Sequence, residues 1–148
     1  MNNITIVPTT KEHLDNITAI EAVCFSTPWS RNAFESGMNQ NTTQSYFTAL
    51  HNERVVGYIC LFHLFEEGEL LNIAVDPTYR KMGIGQKMID LMFTLLNEKG
   101  VTRITLEVRE SNLSAKNLYE KNGFKLLNIR KNYYSCPTEN GLVMEKQL

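Results

Sequence analysis

The chain has 148 residues, of which 43% are hydrophobic, so it can bury one sizeable core and fits a single domain spanning residues 1–148. Its 15 basic and 16 acidic residues leave a formal charge of -1, which argues against a protein that holds nucleic acid or an anionic membrane by charge. The amino-terminal segment lacks the pattern of a signal peptide, and no window has the roughly 18 apolar residues of a membrane span. We therefore expect a cytoplasmic protein with no direct binding to nucleic acid or membrane.

The cysteines and histidines indicate neither a metal site nor a disulfide framework. Cys24, Cys60 and Cys136 lie far apart and form no C-x-x-C pair. The three histidines are dispersed and have no ligand spacing. We predict no metal, and we expect Cys24 and Cys60 to be buried as small apolar residues.

The first forty residues predict one strand and two helices. The β-branched segment 4–7 is typical of a strand, and it is followed by a proline. Thr9 and Glu12 have the spacing of a capping box, and apolar residues then recur at helical spacing, so we predict a helix over roughly 10–24. A second, short helix is predicted after Ser30, which is a favourable N-cap residue.

Three strands and a long helix are predicted for the middle of the chain. Segments 45–50, 54–62 and 69–75 have strand composition and are separated by short polar turns, which is typical of an antiparallel meander. From Ile84 the apolar residues recur at helical spacing until Gly100.

The last third predicts a strand, a helix and two further strands. In "TRITLEVR" apolar and polar residues alternate, with Ile104, Leu106 and Val108 on one face. "SNLSAKNLYEKNG" is typical of a short helix, and "FKLLNIR" and "GLVMEK" of strands. Because a strand-helix-strand step implies a parallel crossover, we predict an α+β fold with a mixed, mostly antiparallel sheet of about seven strands and helices on both faces.

Two glycines, Gly83 and Gly85, lie between the meander and the long helix. A helix start offers free N–H groups and positive potential to a phosphate or pyrophosphate, and glycines let such a ligand approach the backbone. The motif does not extend to G-x-G-x-x-G, because Met88 stands where the third glycine would be, three residues after Gly85. The chain also has no G-x-x-x-x-G-K-[ST] loop. The pattern therefore favours neither a dinucleotide fold nor nucleotide hydrolysis. Taken alone, the glycines are also compatible with a simple turn into a helix.

The segment "RKMGIG" fits the R/Q-x-x-G-x-G/A signature of the GNAT acetyltransferases, and the chain resembles this family over most of its length. "PWS", "LNIAVDP", "LEVRESNLSAKNLYEKNGF" and "RKNYY" are similar to the bacterial branch that acetylates the amino-terminal alanine of a small-subunit ribosomal protein. The resemblance implies the GNAT fold, acetyl-CoA as co-substrate, direct acetyl transfer, and a protein amino terminus as acceptor.

The resemblance also implies roles for individual residues. Glu107 matches the general base of this branch and Tyr119 its general acid. The implied acetyl-CoA-binding residues are Ile73, Ala74, Val75, Arg80, Lys81, Met82, Gly83, Ile84, Gly85, Gln86 and Asn112. The implied acceptor-binding residues, which border a groove between the early helices and the last strands, are Trp29, Arg130, Tyr133, Tyr134 and Glu139. Where the branch has an acidic pair before its last strand, this chain has Asn140 and Gly141.

Structural and functional alternatives remain for these residues. Glu107 could be a salt-bridge partner of Arg103 or Arg109, and Tyr119 could be a core residue with a satisfied hydroxyl. The protein could also be a GNAT enzyme that acetylates a small amine or an internal lysine, or a non-catalytic CoA-binding module. A non-catalytic module would not need Glu107 and Tyr119 together, so their joint presence favours an enzyme.

Overall fold

The computed structural model describes residues 3–148, which form one seven-stranded sheet and four α-helices. The strands are β1 (Ile4–Pro8), β2 (Gln44–His51), β3 (Arg54–Leu64), β4 (Glu67–Val75), β5 (Arg103–Arg109), β6 (Lys125–Tyr134) and β7 (Glu139–Gln147). The helices are α1 (Leu14–Cys24), α2 (Arg31–Met38), α3 (Ile84–Glu98) and α4 (Leu113–Lys121), with 3-10 turns at Lys11–His13 and Pro77–Tyr79. The predicted order and the α+β class are confirmed. Within residues 3–148, no helix has the length and apolar character needed to cross a membrane.

The sheet has the order β1-β2-β3-β4-β5-β7-β6 and is antiparallel except between β4 and β5. These two parallel strands pair only from Glu67 with Arg103 to Glu69 with Thr105. Beyond these pairs β4 continues to Val75 and β5 to Arg109 without a further pair between the two strands in the described part of the chain. An opening therefore forms between the carboxyl-terminal halves of β4 and β5, the end of a parallel pair at which α/β folds commonly bind ligands.

Each face of the sheet carries its own apolar core. On one face the buried side of α3, including Met88, Met92 and Leu96, packs against the sheet. On the other face α1 and α2 contribute Leu14 and Phe34 to a smaller cluster. The helices thus lie on both faces, as predicted, because each presents one apolar stripe that has to be covered.

A β-bulge in β4 was not predicted from the sequence. Leu61 of β3 pairs with Leu70, but the next residue back, Cys60, pairs with Asn72, so Leu71 is an extra residue in β4. A bulge changes the direction of the side chains that follow it. Here the Asn72 amide points toward α1, where it contacts Glu21.

The predicted capping box of Thr9 and Glu12 is wrong by one residue. Thr9 stays extended, because its N–H bonds the Tyr46 carbonyl at 2.9 Å and its hydroxyl lies 2.8 Å from the hydroxyl of Thr48. Thr10 instead begins the helical segment, with its N–H donating to His13 Nδ1 at 3.1 Å. Hydrogen bonding to β2 therefore continues through Thr9, one residue beyond the point at which the sequence pattern placed the helix cap.

Candidate active site

The start of α3 presents unpaired backbone donors, as predicted. Gly83 is the N-cap and has a left-handed backbone with φ of 78°, which favours glycine. The first intrahelical bond joins Lys87 N–H to the Gly83 carbonyl at 3.0 Å, so the N–H groups of Ile84, Gly85 and Gln86 precede it. A Cβ atom at Gly85 would make only an ordinary contact of 3.5 Å, so packing within the protein does not require glycine there.

Basic residues surround this helix start, but they differ in what they contact. Arg80 folds back over the end of β4, where Nε lies 3.4 Å from the Val75 carbonyl and Nη2 lies 3.3 Å from Cys24 Sγ. Lys87 Nζ donates to a carbonyl of β1 at 2.9 Å and so joins α3 to that strand. Lys81, with φ of 65°, and Met82 are exposed beside the glycine turn. Burial raises the pKa of the Cys24 thiol, with the Arg80 charge opposing this effect.

The side chains of Gln86 and Asn112 are engaged in local structure. Gln86 exchanges two hydrogen bonds of 2.8 and 2.9 Å with Asn122 and donates to Asp90 at 2.9 Å, which ties α3 to the end of α4. Asn112 caps α4, with Oδ1 accepting from Ala115 N–H at 3.2 Å. At Gln86 the group that faces the helix start is therefore the backbone N–H.

The β4 backbone beside the opening is bonded by side chains. The Ile73 N–H donates to Asn72 Oδ1 at 3.1 Å, and the Val75 carbonyl lies near Arg80 and 3.7 Å from Cys24 Sγ. Ala74, between them, is buried on the α1 side. The predicted residues of β4 thus line the edge that β5 leaves uncovered.

Glu107 lies on β5 just beyond the last residue paired with β4. Arg130 Nη2 is 3.5 Å from Glu107 Oε1, and interaction with the same carboxylate raises the pKa of the Tyr133 hydroxyl. Arg103 and Arg109, the salt-bridge partners considered from the sequence, pair with other carboxylates. Glu107 therefore interacts with residues of β6 rather than with its arginine neighbours on β5.

Tyr119 lies on α4 and is buried on the opposite face of the sheet. Its ring packs against Phe124 with 6.0 Å between ring centroids, and its hydroxyl makes no hydrogen bond within residues 3–148. Burial, with a smaller contribution from Tyr134, raises the pKa of Tyr119. Burial and then Glu107 raise the pKa of Tyr134 to about 12. Tyr134 is therefore close to both Glu107 and Tyr119, and the phenols stay protonated at neutral pH.

Glu69 is a second carboxylate beside Glu107, and the sequence pattern did not predict it. It forms the last pair between β4 and β5. Burial raises the pKa of Glu69, with a further contribution from Glu107, while Arg130 opposes the effect. Two carboxylates and one guanidinium therefore meet where the strands separate.

Arg109, which the sequence suggested only as a possible partner of Glu107, connects two walls of the predicted acceptor groove. Nη2 donates to Ser26 Oγ at 3.0 Å, in the loop between α1 and α2, and to the Ser135 carbonyl at 2.6 Å. Nη1 donates to the Pro137 carbonyl at 3.0 Å, in the turn between β6 and β7. The guanidinium also lies 4.6 Å from the centre of the Tyr134 ring.

Contacts at the start of β7 give structural roles to two residues of the segment "ENGLVM", Glu139 and Gly141. Glu139 accepts hydrogen bonds from the Ser111 N–H at 3.0 Å and from Arg109 at 3.3 Å. The Ser111 backbone bond is the main reason that the pKa of Glu139 is lowered. A Cβ at Gly141 would lie 3.0 Å from Tyr133 Cδ2, so glycine lets the tyrosine ring pack over β7.

Trp29 forms part of the other wall. Its N–H donates to Glu21 Oε2 at 2.9 Å, and its ring packs on Phe34 with 5.2 Å between centroids. Trp29 also lines an open cavity of about 400 Å³ together with Tyr46 and Leu71.

The structure brings most of the predicted residues together around the opening. Glu107, Tyr133, Tyr134 and Arg130 cluster on one side of it, and the glycine turn lies at the end of β4. Glu21 was not predicted as a site residue, although the sequence pattern contains a sign of it: it is an acidic residue on the apolar stripe of α1. Within residues 3–148, no three His, Cys, Asp or Glu side chains are grouped as metal ligands.

Comparison with known proteins extends these observations. The profile of the acetyltransferase (GNAT) family matches residues 14–124. The chain is 39% identical over 128 residues to the ribosomal protein bS18-alanine N-acetyltransferase of Haemophilus influenzae, covering 84% of this chain and 86% of that protein. It is 36% identical over 141 residues to the Escherichia coli enzyme of the same name, covering 95% and 91%. The crystal structure of the ribosomal-protein-S18-alanine N-acetyltransferase from Escherichia coli has a TM-score of 0.88 at 32% identity, covering 97% of this chain and 93% of that chain. The chain therefore belongs to the acetyltransferase (GNAT) family.

Proposed function

We propose that the protein transfers an acetyl group from acetyl-CoA directly to the amino-terminal α-amine of a protein, with the alanine terminus of a ribosomal protein as its acceptor. The observation that carries this proposal is the placement of Glu107 and Tyr119 on opposite faces of the sheet, with Glu107 beside the opening between β4 and β5 and Tyr134 near both residues. The relatives named as bS18-alanine N-acetyltransferases support the choice of acceptor.

Acetyl-CoA fits the donors available at the end of β4. The first-turn N–H groups of α3 would bind the pyrophosphate, assisted by the exposed charge of Lys81. Close approach of this ligand gives a reason for Gly85 that packing within the protein does not supply. The Ile73 N–H and Val75 carbonyl would bind the amide groups of the pantetheine arm in place of their present side-chain partners.

The acceptor amine must be neutral before it can attack the thioester. At pH 7 an α-amine of pKa ~8 is about a tenth neutral, whereas a lysine of pKa ~10.4 is neutral only to a few parts in ten thousand. The difference of about 2.4 units corresponds to roughly 3.3 kcal/mol in favour of an amino terminus. A site without a special device for deprotonating lysine therefore favours α-amines.

Glu107 and Tyr119 would each transfer one proton in the reaction, Glu107 as the general base and Tyr119 as the general acid. Glu107, held by Arg130 and Tyr133, would take the proton of the acceptor ammonium through a water molecule. The neutral nitrogen would attack the acetyl carbonyl carbon, the carbon–sulfur bond would break, and the leaving thiolate would take the proton of the Tyr119 hydroxyl. The new amide nitrogen would release its second proton to solvent, from which the Tyr119 phenolate would be reprotonated. Tyr119 suits this role because its hydroxyl is protonated and donates to no other group within residues 3–148.

We assign the acceptor peptide to the groove between the loop before α2 and the turn between β6 and β7. Trp29, Tyr133 and Tyr134 would contact its backbone, and Arg109 would hold the two walls together. Because Glu139 already bonds Ser111 and Arg109, we assign it to shaping the groove.

A peptide panel tests the acceptor. The protein is incubated with acetyl-CoA and hexapeptides that begin with Ala, Ser or Met, alongside a polyamine and an amino-terminally blocked hexapeptide with one internal lysine. We expect acetylation of the alanine peptide at a rate at least roughly 100-fold above the lysine peptide, as the fractions of neutral amine require. Acetylation of the polyamine alone would overturn the proposal.

A further inference from the structure

Glu21 is a buried carboxylate that the proposed reaction does not use. Only 1% of the residue is exposed, in the smaller core beneath α1. Oε1 accepts hydrogen bonds from the Tyr58 hydroxyl and from Asn72 Nδ2 at 2.7 Å, and Oε2 accepts from the Trp29 N–H at 2.9 Å. Burying a carboxylate is costly unless its oxygens accept hydrogen bonds, so the three donors fix the position of the Glu21 carboxylate.

Two of these donors lead to the walls of the proposed active site. The bulge at Leu71 aims Asn72 at Glu21, and the other end of the same amide, Oδ1, accepts from the Ile73 N–H at 3.1 Å. Trp29 lies in the loop that leads into α2 and lines the open cavity there. A continuous hydrogen-bonded chain thus runs from the β4 edge through Asn72 and Glu21 to Trp29.

We propose that Glu21 is a positioning residue that couples occupancy of the β4 edge by acetyl-CoA to the conformation of the Trp29 wall of the acceptor groove. The inference rests on the proposed function, which assigns Ile73 to acetyl-CoA and Trp29 to the acceptor. A ligand oxygen that takes the Ile73 N–H displaces Asn72 Oδ1, while Asn72 Nδ2 remains bonded to Glu21. Because Glu21 is only 1% exposed, bulk water cannot replace its contacts, so reorientation of that amide shifts the carboxylate and, with it, the Trp29 peptide group.

The third donor provides a matched control. The Tyr58 hydroxyl bonds the same carboxylate but belongs to the core, with 1% of the residue exposed, and it lies outside the chain from Ile73 to Trp29. Tyr58→Phe removes a hydrogen bond from Glu21 without interrupting that chain. Asn72→Ala removes the link itself.

The coupling can be followed because Trp29 is the only tryptophan in the chain. The full-length protein is titrated with coenzyme A, with binding measured by calorimetry and the Trp29 environment by its emission. We expect the emission of the wild type to change in proportion to calorimetric occupancy. Asn72→Ala should bind coenzyme A but lose at least about 80% of the emission change, since the link that carries the coupling is gone. Tyr58→Phe should retain both the binding and the response.

Steady-state kinetics give a second readout. Glu21→Gln replaces one accepting oxygen by a donating amide, so we expect it to raise the KM for the acceptor hexapeptide by about tenfold and to change the KM for acetyl-CoA by less than about threefold. Tyr58→Phe should leave both constants near wild type. If Glu21→Gln fails to fold, Asn72→Ala is expected to show the same split between the two constants.

The outcomes separate this inference from the proposed function. Calorimetric binding without any Trp29 response in the wild type, or a full response in Asn72→Ala, would overturn the coupling while leaving the acetyltransferase assignment intact. Absence of coenzyme A binding by calorimetry would contradict the proposed function and the coupling together.

Discussion

The two faces of the sheet are built differently. Beneath α3 and α4 the fully buried side chains are apolar, as at Met88, Met92 and Leu96. Beneath α1 and α2 the core is smaller and includes two buried polar residues, Glu21 and Thr48. The face beneath α3 and α4 supplies most of the buried apolar surface, whereas hydrogen-bonded groups define the positions of loops on the other face.

The proposed reaction depends on both faces. Glu107 pairs with Arg130 of β6 on the α1 side, and Tyr119 belongs to the apolar face. A continuous sheet would keep these side chains apart. In the proposed reaction, the separation of β4 and β5 after Glu69 and Thr105 would give both groups access to one opening.

Removing one reacting group from each face should have the largest effect. We expect Glu107→Gln and Tyr119→Phe each to lower kcat by about 10²- to 10⁴-fold, because each removes a proton-transfer group. Unfolding temperatures should change little for Tyr119→Phe, since its hydroxyl makes no hydrogen bond within residues 3–148. The measurement is steady-state kinetics with the alanine hexapeptide. Wild-type kcat in both variants would exclude these roles and leave only the structural contrast between the faces.

A pair of core substitutions tests the contrast in stability. Met92→Ala, on the apolar face, should lower the free energy of unfolding by about 2–5 kcal/mol, because it creates a cavity in a fully buried cluster. Thr48→Val, on the other face, keeps the shape but removes the 2.8 Å contact with Thr9, so about 0.5–1.5 kcal/mol is expected. Urea unfolding measures both values. A greater loss for Thr48→Val would reverse the contrast.

The smallest effect is a pH-dependent one at the start of β7. Because the folded state lowers the pKa of Glu139, its ionised form stabilises the protein above the unfolded pKa of ~4.3, and this contribution is lost as the pH falls through the lower folded value. Glu139→Gln should therefore lower the unfolding temperature at pH 7, and the difference from wild type should disappear near pH ~3. Thermal melts at the two pH values measure the difference. An equal difference at both would show that ionisation of Glu139 does not contribute.

Local patterns were sufficient for much of the fold. The alternation of Ile104, Leu106 and Val108 predicted the buried face of β5, and the apolar spacing from Ile84 predicted α3. The glycine turn was also placed correctly before α3, since its φ requirement is local. The bulge at Leu71 escaped prediction, because it depends on how β4 pairs with β3 rather than on its own residue pattern.

The sequence by itself determined the order of the elements, the helix start at Gly83, and the resemblance that singled out Glu107 and Tyr119, because periodicity, backbone preference and motif are all properties of neighbouring residues. Only the tertiary structure decided which arginine pairs with Glu107, where β4 and β5 separate, and that Glu21 joins Asn72 to Trp29. These contacts connect residues far apart in the chain. They are set by strand register and by the need to satisfy buried polar groups, neither of which a local pattern encodes.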